Sequence, residues 1–274
     1  MTLPAAFQFT QGNLQDYVDC HRRFQLRHLL MQPWPALITA RPDQFELHLQ
    51  RGAALHRLAL QYARGIDPQR LAETIHDDTL AQWWRTFLQR PPRDLPQAIR
   101  RAEISLAAPL GGHRLVAKYD LIAVQPGHRF VIVDWKTTAK RPQRSQLARR
   151  LQTLVYRYLA VEAGAGLNEG DPPAPGQVEM IYWFAASHGQ IERFAYDDAQ
   201  HTAARAALQD LIAQIATHTE PVWPLTQDPG QCRFCNYRSL CERGVTAGFL
   251  DDLEDDLEPL EAAIDLEQIA EVEF

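Results

Sequence analysis

The stretch Phe130-Val131-Ile132-Val133-Asp134-Trp135-Lys136 decides how this chain reads. Four apolar residues, three of them β-branched, lead into an aspartate and a lysine two positions apart. The run is too short for a helix and fits a buried central strand. Side chains alternate along a strand, so Asp134 and Lys136 share a face and Trp135 takes the other. Charges at the end of an apolar strand are costly to bury, which marks them as a candidate site.

The flanks supply a sheet and its cover. Arg101 to Leu110 and Leu115 to Val124 read as a hairpin around Gly111-Gly112, and Pro126-Gly127 turns the second of these into the central strand. Val178 to Ala186 and Gln190 to Tyr196 form a further hairpin around His188-Gly189. Helical spacing of apolar residues predicts helices over Leu14 to Leu30, Phe45 to Tyr62, Pro68 to Leu88, Gln146 to Glu162 and Ala199 to Ile215. Strands set between helices predict an α/β fold.

Composition excludes several classes. With 274 residues, 46% apolar and 23% charged, the chain has the makeup of a folded domain with an ample core. No stretch is apolar enough to span a bilayer and no basic-then-apolar leader opens the chain, so a cytoplasmic protein is expected, with no membrane partner. The formal net charge is −6. Residues 244–274 hold 11 of the 34 acids and no Lys or Arg, however, leaving a body with 28 bases against 23 acids. A mildly basic body suits a nucleic-acid binder. In the tail, Leu250, Leu253, Leu257, Leu260 and Ile264 recur at three-four spacing between acids. That pattern predicts a short amphipathic helix, which either folds over the basic body or docks on a partner protein. An acidic segment that only aids solubility is the plainer alternative.

Asp120 sits on the strand before Asp134. Two aspartates on neighbouring strands can hold Mg²⁺ or Mn²⁺, which prefer hard oxygen ligands. Such an ion polarises a phosphodiester and lowers the pKa of its bound water, and Lys136 beside it offsets developing negative charge. The plainer alternative is a structural ion pair. Between Lys136 and Arg157 stand Lys140, Arg141, Arg144, Arg149 and Arg150 with no acid among them. They are candidate contacts to DNA phosphates, sequence-independent and salt-sensitive. Trp83, Trp84 and Phe87 lie at helical spacing and read as core before stacking surface.

Cys232, Cys235 and Cys241 cluster near the end of the chain, and Cys20 stands apart near its start. A soft metal centre takes four thiolates, which makes Cys20 the natural fourth. Iron–sulfur and zinc both remain open on ligand type, and His21 offers zinc a substitute ligand.

Taken together, the motifs resemble the RecB-like branch of the PD-(D/E)xK nuclease superfamily over nearly the whole chain. The residues that carry the likeness are Gly52-Ala53-Ala54-Leu55-His56, Glu103, Lys118-Tyr119-Asp120-Leu121-Ile122, Val133-Asp134-Trp135-Lys136-Thr137 and Gln152-Thr153-Leu154-Val155-Tyr156. Ala117-Lys118 departs from a pattern that often has glycine there. The resemblance implies a restriction-endonuclease-like mixed sheet flanked by helices. His56, Asp120, Asp134 and the Trp135 carbonyl would be the metal ligands, and Lys136 would position the nucleophile. Gln152 and Tyr156 would contact DNA beside the metal. Cys20, in Cys20-His21-Arg22-Arg23-Phe24, and the later three cysteines resemble the subset found in CRISPR-associated RecB-like exonucleases and AddB-type subunits. That likeness implies a structural [4Fe–4S] cluster.

The expected organisation is a helical region over 1–99, a nuclease core over 100–220, a cysteine segment over 221–244 and an acidic tail over 245–274. The expected activity is Mg²⁺- or Mn²⁺-dependent exonucleolytic hydrolysis of single-stranded DNA or DNA ends, in repair, recombination or CRISPR adaptation. The alternatives are a non-catalytic DNA-binding scaffold of the same fold and a zinc-stapled nuclease.

Overall fold

A computed structural model describes residues 3–4, 6–33, 44–138, 140–233 and 235–245. The predicted tail helix lies outside them. In chain order the elements are β1 (Gln8–Phe9), α1 (Gln11–Asp19), α2 (His21–Phe24), α3 (Gln44–Ala63), α4 (Pro68–Glu73), α5 (Asp78–Gln89), β2 (Ile99–Leu110), β3 (His113–Gln125), β4 (Arg129–Lys136), α6 (Arg144–Arg149), α7 (Leu151–Ala163), β5 (Val178–Phe184), β6 (Gln190–Ala195), α8 (Asp198–Ala216) and α9 (Gly230–Arg233).

One mixed sheet of six strands carries the fold. β2 and β3 pair antiparallel from Leu110↔His113 outward, across a turn in which Gly111 and Gly112 both have positive φ, as a two-residue hairpin of this twist requires. β3 then pairs antiparallel with β4, and β4 pairs parallel with β5 through the α6–α7 crossover. β6 closes the edge antiparallel to β5. β1 pairs parallel with the start of β3, at Gln8↔Arg114 and Phe9↔Leu115. The stretch up to residue 99 thus lends the sheet a strand as well as helices.

Both sheet faces are covered, which is why β4 is apolar on both sides. Phe130 and Ile132 pack with Leu159 and Tyr158 of α7 and with Leu208 and Ile212 of α8. Val131, Val133 and Trp135 pack with Leu55 of α3 and with Trp84 and Phe87 of α5. Trp83, Trp84 and Phe87 are therefore core: Trp84 stacks on Phe87, and Phe87 meets Trp135 edge-on at 5.0 Å.

Three predicted helices are broken, each for a visible reason. Cys20 is extended (φ −165°, ψ 111°) and parts α1 from α2, after which the chain winds through a π-helical turn over Gln25–Leu29. Asp77 restarts a helix by accepting from the Leu80 N–H at 2.9 Å, so α4 and α5 are separate. Arg150 is extended and splits α6 from α7.

Candidate active site where β4 leaves β3

The β3–β4 ladder ends at Leu121↔Val133. Beyond that rung β3 pairs with β1 and β4 continues along β5, so the sheet forks. Asp120 and Asp134 occupy the next position on each arm. On the other edge of β3 the ladder runs Ala102↔Leu121 and resumes at Ile104↔Tyr119, skipping the Glu103–Asp120 rung. Glu103 has φ +54°, a left-handed conformation inside a strand. Such strain is sparse in strands and gathers at functional sites. Its consequence here is a change of parity: Ile99 and Ile104 pack against the same core although they are an odd number of residues apart.

His56 reaches the fork from α3. Its Nδ1 lies 3.0 Å from Asp120 Oδ1 and its Nε2 lies 3.0 Å from the Trp135 carbonyl oxygen. Both ring nitrogens thus face acceptors, and only the doubly protonated ring satisfies both. The other oxygen of Asp120 accepts the Trp135 N–H at 2.7 Å. Burial alone would raise the Asp120 pKa, but His56, the Trp135 N–H and Lys136 outweigh it and hold the carboxyl below its usual range. Asp120 is therefore anionic at neutral pH.

Asp134 and Lys136 share a face as expected, with Lys136 Nζ 2.9 Å from Asp134 Oδ2 and the two side chains 2% and 5% exposed. Gln152 of α7 donates to Asp134 Oδ1 at 2.9 Å. The buried Gln152 Oε1 has no hydrogen-bond partner among the described residues. Tyr156, one turn on, is 4% exposed, and its hydroxyl donates to the Lys118 carbonyl at 2.7 Å. Burial and the charges of Asp134 and Asp120 raise its pKa well above the usual value. A neutral phenol already engaged with β3 positions that strand.

Among the described residues, the ligand atoms of His56, Glu103 and Asp120 lie within 4.8 Å of one another. Ligands of one octahedral ion stand about 3–4 Å apart, so these atoms lie near enough to be drawn onto one hard divalent cation. The donor set, one imidazole and two carboxylates beside a backbone carbonyl, fits such an ion. Glu103, one of the motif residues though not among the expected metal ligands, belongs to the group. Asp134 stands beside it, tied to Lys136 and Gln152.

The model of the PD-(D/E)XK nuclease superfamily matches residues 8–242. The chain belongs to the PD-(D/E)XK nuclease superfamily. Members of this superfamily use divalent metals, and the grouped donors at the fork are where this one would hold its ion. Among solved structures, a presumptive exonuclease from Eubacterium rectale is similar at 10% identity and a TM-score of 0.47, over 77% of this chain and 80% of its own. The structure of SSO0001 is similar at 10% identity and a TM-score of 0.32, over 72% and 93%. No curated protein matches the chain.

The basic segment after this nuclease's β4 is less open than its sequence suggests. Arg141 and Arg144 converge on Glu192 of β6, Arg144 Nη1 at 2.7 Å from Glu192 Oε2. Arg150 is buried at the α6–α7 break, while Lys140 and Arg149 are exposed. No helix among the described residues is long and apolar enough to cross a membrane.

The four cysteines are drawn from both ends of the described chain. Cys20 sits at the α1–α2 break, Cys232 lies in α9, and Cys235 and Cys241 follow it. Burial raises the Cys235 thiol, and Cys20 and Cys241 raise it further while Arg23 opposes them. Cys241 is raised by burial and by Cys20 and Cys232. The four cysteines are thus close enough to influence one another electrostatically. Yet among the described residues no three of their sulfurs lie within 4.8 Å of one another. Tetrahedral zinc would draw its sulfurs to about 3.8 Å, given Zn–S bonds of about 2.3 Å. His21 stacks on Tyr17 with centroids 3.9 Å apart and lies edge-on to His218.

The two cysteine-bearing segments are also joined by direct contacts. Gln25 donates to the Pro221 carbonyl at 2.9 Å and accepts from the Trp223 N–H at 3.0 Å, and Phe24 stacks on Trp223. Beneath them, fully buried Asp16 gathers Arg23, Arg27 and His28 at 2.8, 3.1 and 2.8 Å. Despite the opposing effect of burial, these partners hold its carboxyl below the usual range. Asp16→Ala removes the buried acceptor that Arg23, Arg27 and His28 share, while Arg23 keeps Asp19. It is expected to cost about 1–3 kcal/mol of stability, read as a fall in the chemical-denaturation midpoint.

Proposed function

We propose that this chain is a metal-dependent deoxyribonuclease that digests single-stranded DNA or DNA ends and carries a structural [4Fe–4S] cluster. The observation that carries the reading is the fork itself. Asp120 accepts the Trp135 N–H, His56 bridges Asp120 and the Trp135 carbonyl, and buried Asp134 holds Lys136 beside them.

His56, Glu103, Asp120 and the Trp135 carbonyl, with Asp134 adjoining, would hold a divalent ion, Mg²⁺ or Mn²⁺, which would supply Lewis acidity to the phosphodiester and lower the pKa of a bound water. The chain's own groups do the rest. Asp134 keeps Lys136 charged, and the ammonium aims at the oxygen on which negative charge builds. Gln152 fixes the Asp134 carboxylate, and Tyr156 fixes the β3 backbone. Exposed Lys140 and Arg149 are placed to meet phosphates, joined by Arg141 and Arg144 where DNA displaces Glu192.

Cys20, Cys232, Cys235 and Cys241 hold the cluster. The likeness of the Cys20 segment and of the later three cysteines to iron–sulfur nucleases supports a cluster over zinc, which the ligand type alone would also suit. The cytoplasm, which keeps thiols reduced, is the compartment that suits them. Work on DNA ends places the enzyme in repair, recombination or CRISPR adaptation.

Two experiments test the reading. Linear and closed-circular single strands of one sequence are incubated with Mn²⁺. Loss of the linear strand with the circle intact supports exonuclease action, and cutting of the circle rejects it. Iron and zinc are counted in protein prepared without oxygen. About four irons per chain supports the cluster, and one zinc without iron rejects it.

A further inference from the structure

Lys118 stands where the sequence showed only a departure from a glycine. Its Nζ lies 2.6 Å from Glu103 Oε2, with the two side chains 41% and 20% exposed. An isolated pair at this exposure contributes little to stability. This pair is not isolated, because Glu103 also belongs to the group of donors with His56 and Asp120. The lysine is delivered from a fixed backbone: Tyr156 donates its hydroxyl to the Lys118 carbonyl at 2.7 Å, and Tyr119 donates its own to the Tyr156 carbonyl at 2.9 Å. Both rings are buried.

The arrangement is symmetrical about Asp120. Glu103 on one side is tied to Lys118, and Asp134 on the other is tied to Lys136. Three carboxylates against two ammonium groups leave one net negative charge, with the imidazole counted neutral once it turns a lone pair to metal. One divalent ion then brings the site to a single positive charge, which matches one phosphodiester. A pair of ions about 3.5–4 Å apart needs carboxylates to bridge or flank both. Here one oxygen of Glu103 already belongs to an ammonium.

We propose that Lys118 is a positioning residue that takes the electrostatic place of a second ion, so that the site loads a single divalent cation. The proposal rests on the metal-site reading above and adds the stoichiometry and the residue that sets it.

The test counts Mn²⁺ bound at micromolar concentration by the intact protein carrying its cysteine-bound metal, using the electron paramagnetic resonance of the unbound ion. Ions that persist in Asp120→Asn are subtracted as background. The native chain is expected to bind one Mn²⁺, Lys118→Met two, and Lys118→Arg one. Circular dichroism shows that each variant is folded. Two site-bound ions in the native chain overturn the proposal, as does a Lys118→Met protein that still binds one. A native chain that binds none removes the metal-site reading and the proposal with it. One ion in both native and Lys118→Met protein removes the proposal alone.

Discussion

Asp134→Asn lowers metal-dependent DNA hydrolysis by about 10³-fold, the scale on which a buried electrostatic group at a reacting centre acts. The carboxylate has two dependants. It is the counter-charge of Lys136, which is 2% exposed and 2.9 Å away, and it is the acceptor of Gln152 at 2.9 Å. An amide keeps the shape and removes the charge. The ammonium then pays the desolvation cost alone and favours its neutral form, so the charge aimed at the phosphodiester is lost with the carboxylate. Breaking a buried pair also costs about 3–5 kcal/mol of stability. The rate is therefore compared in single turnover well below the melting temperature of the variant. A rate within threefold of native would remove Asp134 from the chemistry.

If the cysteines hold the proposed cluster, Cys235→Ser is expected to strip its iron and to lower the melting temperature by roughly 5–10 °C. That corresponds to a few kcal/mol in a protein of this size. Cys235 is 9% exposed, packs with Leu26 and Tyr237, and faces both Cys20 and Cys241. The loss is expected to stop short of unfolding, because Gln25, Phe24 and the Asp16 hub hold the N-terminal helices without metal. Iron content is read by elemental analysis and melting by circular dichroism. Iron that survives the substitution would show that Cys235 is not a ligand.

Much of the fold was legible because its signals are local. The β-branched run up to Val133 fixed the central strand, and two-residue alternation placed Asp134 and Lys136 on one face. The His56 match in a short helical motif marked a residue that the fold brings 3.0 Å from Asp120. Helix breaks were not legible, since apolar spacing runs straight through Cys20 and Arg150, and only tertiary packing makes them extended.

Glu103 was within reach of the sequence. A two-residue turn at Gly111-Gly112 pairs Leu110 with His113, and counting back along both strands sets Glu103 opposite Asp120. Its left-handed backbone was not within reach, because nothing in the residue type demands it. Lys118 was hidden for a different reason. Its importance comes from the ion it contacts across the hairpin, and motif matching registered only that it was not glycine. The pairing of Arg141 and Arg144 was not legible, since their partner Glu192 lies on β6, more than 40 residues further along the chain.

The most direct measurement is release of label from end-labelled single-stranded DNA by the native protein, with Mn²⁺ and with Mn²⁺ plus excess EDTA, in a preparation shown to hold its cysteine-bound metal. The account expects shortened products with Mn²⁺ and intact substrate with EDTA. No cleavage by a folded, metal-replete preparation would contradict it and favour a DNA-binding scaffold. Equal cleavage in EDTA would contradict the metal site at the fork.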